Sequence, residues 1–255
     1  MLKIVLLGGG NVAHHLFTQF SRNPEIELVQ WYNRSIDAIR KFGQHTAVID
    51  QIENLKEADL YLIAVSDAAI AEISAALPFQ GKFVVHTSGN TSMDVIDSKN
   101  RTGVYYPLQS FSKNKPIQWN EIPLLIEATN EDDLQLLNKL AKSMTDKVYT
   151  INSQQRSRIH LTAVFVNNFV NHLFSIGADL SEQEQIPFEI FIPLIKQTTN
   201  SLGTTPPIAS QTGPAVRGDH STIEAHLRQL KDPLHKEIYK SITRSILKTH
   251  GREKL

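Results

Sequence analysis

Close to its start the chain runs from a short apolar segment, Lys3-Ile4-Val5-Leu6-Leu7, straight into Gly8-Gly9-Gly10-Asn11-Val12-Ala13. The first stretch reads as a buried parallel strand, and the residues after the glycines, through Phe20, read as a helix. A strand that opens into a helix through G-x-G-x-x-A is the dinucleotide-binding fingerprint in the setting it requires. Gly8 is expected to permit the tight turn, and Gly10 to let a pyrophosphate approach the backbone. Ala13 lets the helix pack close to the strand. The diphosphate would lie on unpaired N–H groups at the positive end of the helix, beside Asn11 and Val12. The plain alternative, a glycine-rich turn that binds nothing, is disfavoured by the agreement of strand, helix and glycine spacing.

The end of the second strand selects the nucleotide. Glu27-Leu28-Val29-Gln30-Trp31-Tyr32 reads as that strand, and Asn33-Arg34-Ser35 follows it. A chain that holds NAD carries an acidic residue here for the ribose 2′-hydroxyl. Here there is none to repel a 2′-phosphate. Arg34 can fork onto the phosphate and stack on the adenine, with Asn33 and Ser35 as further donors. The expected cofactor is therefore NADP, as NADPH in its reduced form. Ser35 can also cap a helix over Ile36 to Phe42 with Arg34 in water, and the two roles are compatible.

Charge and cysteine content narrow the partners. Lysine plus arginine and aspartate plus glutamate balance at 26 each, so nothing favours nucleic acid or an anionic membrane, and a small-molecule substrate is expected. The absence of cysteine excludes disulfides, thiolate catalysis and Cys-ligated metal centres, and no metal site is expected. Met1 leads almost directly into the first strand, which leaves no room for a signal peptide and points to a cytoplasmic address. The segment Leu161 to Leu180 is apolar but carries Asn167, Asn168, Asn171, His172 and Asp179, so it is not a membrane span.

Strand and helix patterns alternate through residues 1–152, as expected for an α/β doubly wound, mostly parallel sheet. After Tyr149 the strand signal stops. Residues 153–255 read as a smaller all-helical domain: one long helix from Ser153 to Leu180, another from Pro187 to Ser201, and a loop at Thr204 to Pro207. A capping box, Ser221-Thr222-Ile223-Glu224, opens a helix to Leu230, and Asp232-Pro233 starts the last one, which ends near His250.

On the long helix, His160, Asn167 and Asn171 fall within about 40° of one another at about 100° per residue. A polar stripe on an otherwise apolar helix needs a ligand, water or a polar partner. Facing a cofactor, it would offer a proton-transfer group and two amides; the alternatives are internal satisfaction or a subunit interface. His86 sits at the carboxyl end of a strand, where open α/β sheets bind ligands, although strand-end histidines are often structural. Ser88 and Gly89 follow it in Thr87-Ser88-Gly89-Asn90. Arg217, in the glycine-rich stretch Gln211 to Asp219, can anchor a substrate carboxylate or phosphate, or pair locally with Asp219.

Six stretches together resemble a known family. These are Gly8 to Ala13, Asn33-Arg34-Ser35, Ala64-Val65-Ser66-Asp67, His86-Thr87-Ser88-Gly89, Tyr106-Pro107-Leu108-Gln109 and Thr212 to Asp219. The chain resembles, over nearly its whole length, Rossmann-type NADP oxidoreductases with a C-terminal helical domain of unknown function. In plan these are similar to pyrroline-5-carboxylate reductase and to the 6-phosphogluconate and β-hydroxyacid dehydrogenases. The resemblance implies that Ala64, Val65 and Ser66 border the cofactor, that substrate lies between the domains, and that a homodimer forms through the helical domain. The β-hydroxyacid dehydrogenases use Lys-x-x-x-Asn on the long helix, whereas this chain has His160 and Val164, so the lysine's role is not carried over.

The expected activity is hydride transfer between the nicotinamide and a C=O or C=N group of a small anionic metabolite. His160 is the candidate proton donor, with Asn167 orienting it or the substrate, and Tyr106 and His86 next in line. His86, Ser88, Gly89, Asn171 and Arg217 are the candidate substrate contacts. A non-catalytic NADP-binding or regulatory protein is the competing reading, and a methyltransferase is disfavoured because Asn33 stands where it would carry an acid.

Overall fold

The structure, a computed structural model, describes residues 1–113 and 115–252. Eight strands form a sheet: β1 (Leu2–Leu7), β2 (Ile26–Tyr32), β3 (Ala47–Ile49), β4 (Leu60–Ile63), β5 (Phe83–His86), β6 (Arg101–Pro107), β7 (Leu124–Ala128) and β8 (Val148–Thr150). Their order is β3-β2-β1-β4-β5-β6-β7-β8, and every neighbouring pair is parallel except β6 with β7. The reversal on either side of β1 makes β1–β4 the switch point of a doubly wound sheet.

Ile4 to Leu7 of β1, all of β4 and Phe83 to Val85 of β5 are hydrophobic and buried because both faces of the sheet are covered. In β1, Ile4 and Leu6 join one core with Leu16, Phe17 and Phe20 of α1 (Asn11–Phe20). Val5 and Leu7 point the other way, into a second core with Tyr61, Ile63 and Ile70. Ile70 opens α2 (Ile70–Ala75), and α3 (Glu131–Lys142) covers the first face through Leu137, Leu140 and Ala141.

The chain divides into two compact units, Met1 to Asn167 and Asn168 onward. The sequence pattern placed the break before Ser153, but α4 (Ser153–Ala163) groups with the sheet. The reason is a buried polar knot. Arg156, 1% exposed, pairs with Glu127 of β7 and donates to the Thr91 carbonyl at 2.7 Å, while the Ser153 amide and hydroxyl each donate to Glu127 at 2.8 Å. A charge buried this way needs all its partners, and they tie the start of α4 to β7 and the loop after β5.

The second unit contains α5 (Val170–Gln183), α6 (Ile192–Asn200), α7 (Pro207–Ser210), α8 (Pro214–Arg217), α9 (His220–Gln229) and α10 (Pro233–Thr249). Asp232 caps α10 as expected, accepting from the amides of Leu234 and His235 with Pro233 in the first turn. Three local expectations give way. Ser221 does not cap α9; Asp219 does, accepting from the Thr222 amide and from both the Ser221 and Thr222 hydroxyls. The stretch from Ile36 to Phe42 forms two 3₁₀ turns rather than a helix. The single long helix is interrupted by a π-helical turn over Val164–Phe169, which takes more residues per turn and breaks the 100° spacing assumed for the polar stripe. Among the described residues no helix is long and apolar enough to cross a membrane.

Candidate active site

At the carboxyl end of β1, Gly8 takes a positive φ of 117°, and a side chain there would collide with the Ala64 carbonyl. Gly9 leaves room for the Asn33 amide, 2.9 Å from where a Cβ would stand. Gly10 is different. A Cβ on it would meet no protein atom closer than 4.0 Å, so the protein's own packing does not require a glycine here, and the space lies open over the start of α1. No side chain caps α1 and no acid sits in its first turn, so its leading N–H groups are free for an anion. A diphosphate fits this cradle.

The cradle opens into a hollow of about 690 Å³ lined by Gly8, Gly10, Asn11, Val12, Asn33, Arg34, Ala64, Val65 and Ser66. Gln109 and Phe111, which the sequence did not single out for the cofactor, line it too. Asn11 holds them there by donating to the Phe111 carbonyl at 2.9 Å. Arg34 is exposed and forms no ion pair among the described residues, so its guanidinium remains available. Asn33 donates to the Ser35 carbonyl at 2.7 Å, which shapes the turn, and the Ser35 hydroxyl makes no cap to the following 3₁₀ turn.

Leu7, Ile63, His86 and Val104 lie in one row across β1, β4, β5 and β6. The chain beyond them therefore emerges along one edge, with Gly8, Ala64, Thr87-Ser88 and Tyr105-Tyr106 in order. Three strand spacings of about 4.8 Å put Tyr106 roughly 14 Å from the fingerprint, on the side away from Arg34. With the diphosphate over β1 and the adenosine toward Asn33–Ser35, the nicotinamide half of a dinucleotide belongs over this edge.

Here Tyr106 and His160 form a pair, Oη to Nδ1 3.3 Å apart, with ring centroids 6.2 Å apart. They close over Gly89, where an added Cβ would stand 2.6 Å from the Tyr106 ring and 2.7 Å from His160 Nδ1. Burial, and next the charge of Asp67, push the Tyr106 phenol above its ordinary value, so it stays protonated. A protonated phenol against an imidazole is a unit that can hold and pass one proton.

Other expected contacts fall elsewhere. His86 is fully buried with both nitrogens used: Nδ1 accepts from the Ser88 amide at 3.1 Å and Nε2 donates to the Ser92 carbonyl at 3.2 Å. Burial, with Arg156 nearby, lowers its pKa to about 4. It is a neutral strut for the loop, not a substrate contact. The Ser88 hydroxyl is likewise spent, donating to Thr91 and accepting from the amides of Asn90 and Thr91. Asn167 donates to the Ser110 hydroxyl at 2.7 Å and not to His160. Asn171 and Arg217 are exposed residues of the second unit, and Arg217 forms no ion pair with Asp219. Arg156 was not singled out from the sequence, because its role rests on Glu127 twenty-nine residues away.

Comparison with known proteins agrees with this geometry. The family described as domain of unknown function DUF2520 matches residues 122–246. No curated protein matches the sequence. A crystal structure from Bacteroides fragilis, provisionally named an NADP oxidoreductase, is 34% identical over 97% of this chain and 98% of its own, with a TM-score of 0.88. Two more distant structures share the fold. One is a reductive aminase from Aspergillus terreus, in complex with NADPH and ethyl levulinate, at 14% identity over 100% of this chain and 96% of its own (TM-score 0.72). The other is a pyrroline-5-carboxylate reductase from Coxiella burnetii, at 16% identity over 100% and 99% (TM-score 0.56). An uncapped glycine cradle, an arginine after β2 with no ion pair among the described residues and a relative 34% identical over nearly the full length lead to one conclusion: the chain belongs to the Rossmann-type NADP oxidoreductases that carry a DUF2520 region.

Proposed function

We propose that this oxidoreductase uses NADPH to reduce a C=O or C=N group of a small anionic metabolite, with the Tyr106–His160 pair supplying the proton. The observation that carries this reading is the contact between those two side chains over Gly89, at the sheet edge where the nicotinamide half belongs. When bound, the reduced nicotinamide supplies the hydride. Arg34 and the open amides of α1 hold the phosphates. Tyr106 Oη gives its proton to the substrate oxygen or nitrogen as the carbon receives the hydride, and His160 returns a proton to the phenolate. Gly89 keeps both rings in register.

A homodimer through the helical region belongs to the same reading. In the second unit the buried apolar side chains among the described residues are Ala215, Ile223 and Leu247. Leu173, Ile190, Leu194, Leu202, Ile208 and Leu234 are all exposed, Leu194 by 64%. So much open apolar surface on a small unit favours cover by a second copy.

The test is absorbance at the reduced-nicotinamide band with NADPH and a panel of 2-keto acids, alone and with ammonia, and cyclic imino acids. Turnover of at least one anionic carbonyl or imine supports the reading. Tight NADPH binding without turnover across the panel would support a non-catalytic nucleotide-binding protein instead.

A further inference from the structure

A second hollow of about 600 Å³ shares no lining residue with the first. Helix α1 gives Asn11 and Val12 to the first, and His14, His15, Thr18 and Gln19 to the second. Arg22, Lys41, Lys113 and Lys115 line it, against a single acid, Asp37, which already pairs with Arg40 at 2.9 Å. None of those four cations forms an ion pair among the described residues. In a chain whose charges balance overall, this is a local and unrelieved excess.

One wall is tied to α1. His15 Nε2 donates to the Ser112 carbonyl at 2.8 Å, tying the segment that carries Lys113 to α1. The floor is aromatic: Phe42 and Trp119 line the groove, and Lys41 Nζ stands 5.1 Å from the Phe42 ring centre. Among the described residues His14, edge-on to Trp31, has its Nδ1 atom buried with no hydrogen-bond partner. Burial, then Lys113, Lys41 and His15, lower its pKa to about 4, so the groove holds its histidine neutral.

We propose that this groove binds a phosphate-bearing small molecule at a site separate from the dinucleotide. Several lysines around a concave, partly aromatic surface suit two or more phosphate charges beside a planar ring better than a single carboxylate. A nucleic acid strand is the weaker fit, because the chain carries no overall basic excess to follow a long backbone.

The probe is inorganic pyrophosphate, titrated calorimetrically with and without saturating NADP⁺, alongside the His14 imidazole resonance. Without NADP⁺ the glycine cradle can also take pyrophosphate; with NADP⁺ saturating, saturable binding to one site is expected to remain. Lys41→Met and Lys113→Met should each weaken it by about tenfold or more, the loss of one hydrogen bond to a charged group. Arg34→Ala should leave it unchanged. The pKa of His14 should rise from about 4 on saturation, because the bound charge offsets Lys113 and Lys41. Three results overturn the proposal: no saturable binding, binding abolished by NADP⁺ or by Arg34→Ala, or binding indifferent to both lysine substitutions in variants that unfold at the wild-type temperature.

Discussion

Tyr106 of β6 and His160 of α4 are 54 positions apart in sequence, yet their Oη and Nδ1 atoms lie 3.3 Å apart. Their contact exists because Gly89 has no side chain: an added Cβ would stand 2.8 Å from the Tyr106 hydroxyl oxygen and 2.7 Å from His160 Nδ1. Gly89→Ala should therefore separate the pair while leaving the nucleotide cradle intact. A displacement of roughly 1 Å at a proton-transfer centre costs about 10²-fold in rate. Turnover of an active substrate should fall by that order with NADPH affinity preserved. An alanine variant of wild-type activity would show that the close approach over Gly89 is not used.

Arg34 predicts cofactor choice. Its guanidinium forms no ion pair among the described residues, so the 2′-phosphate of NADPH would be its partner. Arg34→Ala should weaken NADPH binding by about 1.5–3 kcal/mol and leave NADH binding nearly unchanged. Fluorescence titration with both nucleotides reads the difference, and an equal loss for each would move the phosphate contact elsewhere.

His86 makes stability sensitive to acid. Its folded pKa of about 4 is lowered from an ordinary value near 6.5, so the unfolded chain binds a proton that the folded chain refuses. Its contribution is fully present above about pH 6.5 and is lost progressively as pH falls toward 4. Between pH 7 and pH 5 this amounts to about 2 kcal/mol, seen as a drop in Tm. The His86 ring resonance should stay flat from pH 8 to pH 5. Titration near 6.5 would mean that the imidazole is not buried as a neutral strut.

The exposed apolar side chains of the second unit predict self-association. Light scattering at micromolar concentration should give twice the chain mass of 28.7 kDa. A clean 28.7 kDa species would leave that surface without a second copy to cover it.

Much of the nucleotide hollow was legible from residues 3–35, because a fingerprint is local: its glycines answer to turns and close approaches within one strand–helix unit. The apolar runs Ile4–Leu7, Leu60–Ile63 and Phe83–Val85 were legible for the same kind of reason, since burial on both faces writes itself into consecutive positions. What could not be read depends on partners far along the chain. Tyr106 and His160 meet only through sheet order. Arg156 binds α4 to the sheet through Glu127, so the unit boundary falls past the helix and not before it. The π-helical turn over Val164–Phe169 leaves no mark in a pattern read at a fixed period, and the His160–Asn167–Asn171 stripe was built on that period. His86 and Ser88 stood in the right place for substrate, but hydrogen bonds that no spacing reveals had already consumed their polar atoms.

The most direct measurement is steady-state NADPH oxidation with an active keto acid or cyclic imine in the wild type, Tyr106→Phe and His160→Ala, with NADPH dissociation constants measured in parallel. The predicted result is a loss of about 10²–10⁴ in turnover for each variant, with NADPH affinity within about twofold of the wild type. Undiminished turnover in both variants would contradict proton delivery by this pair and place the chemistry elsewhere on the sheet edge.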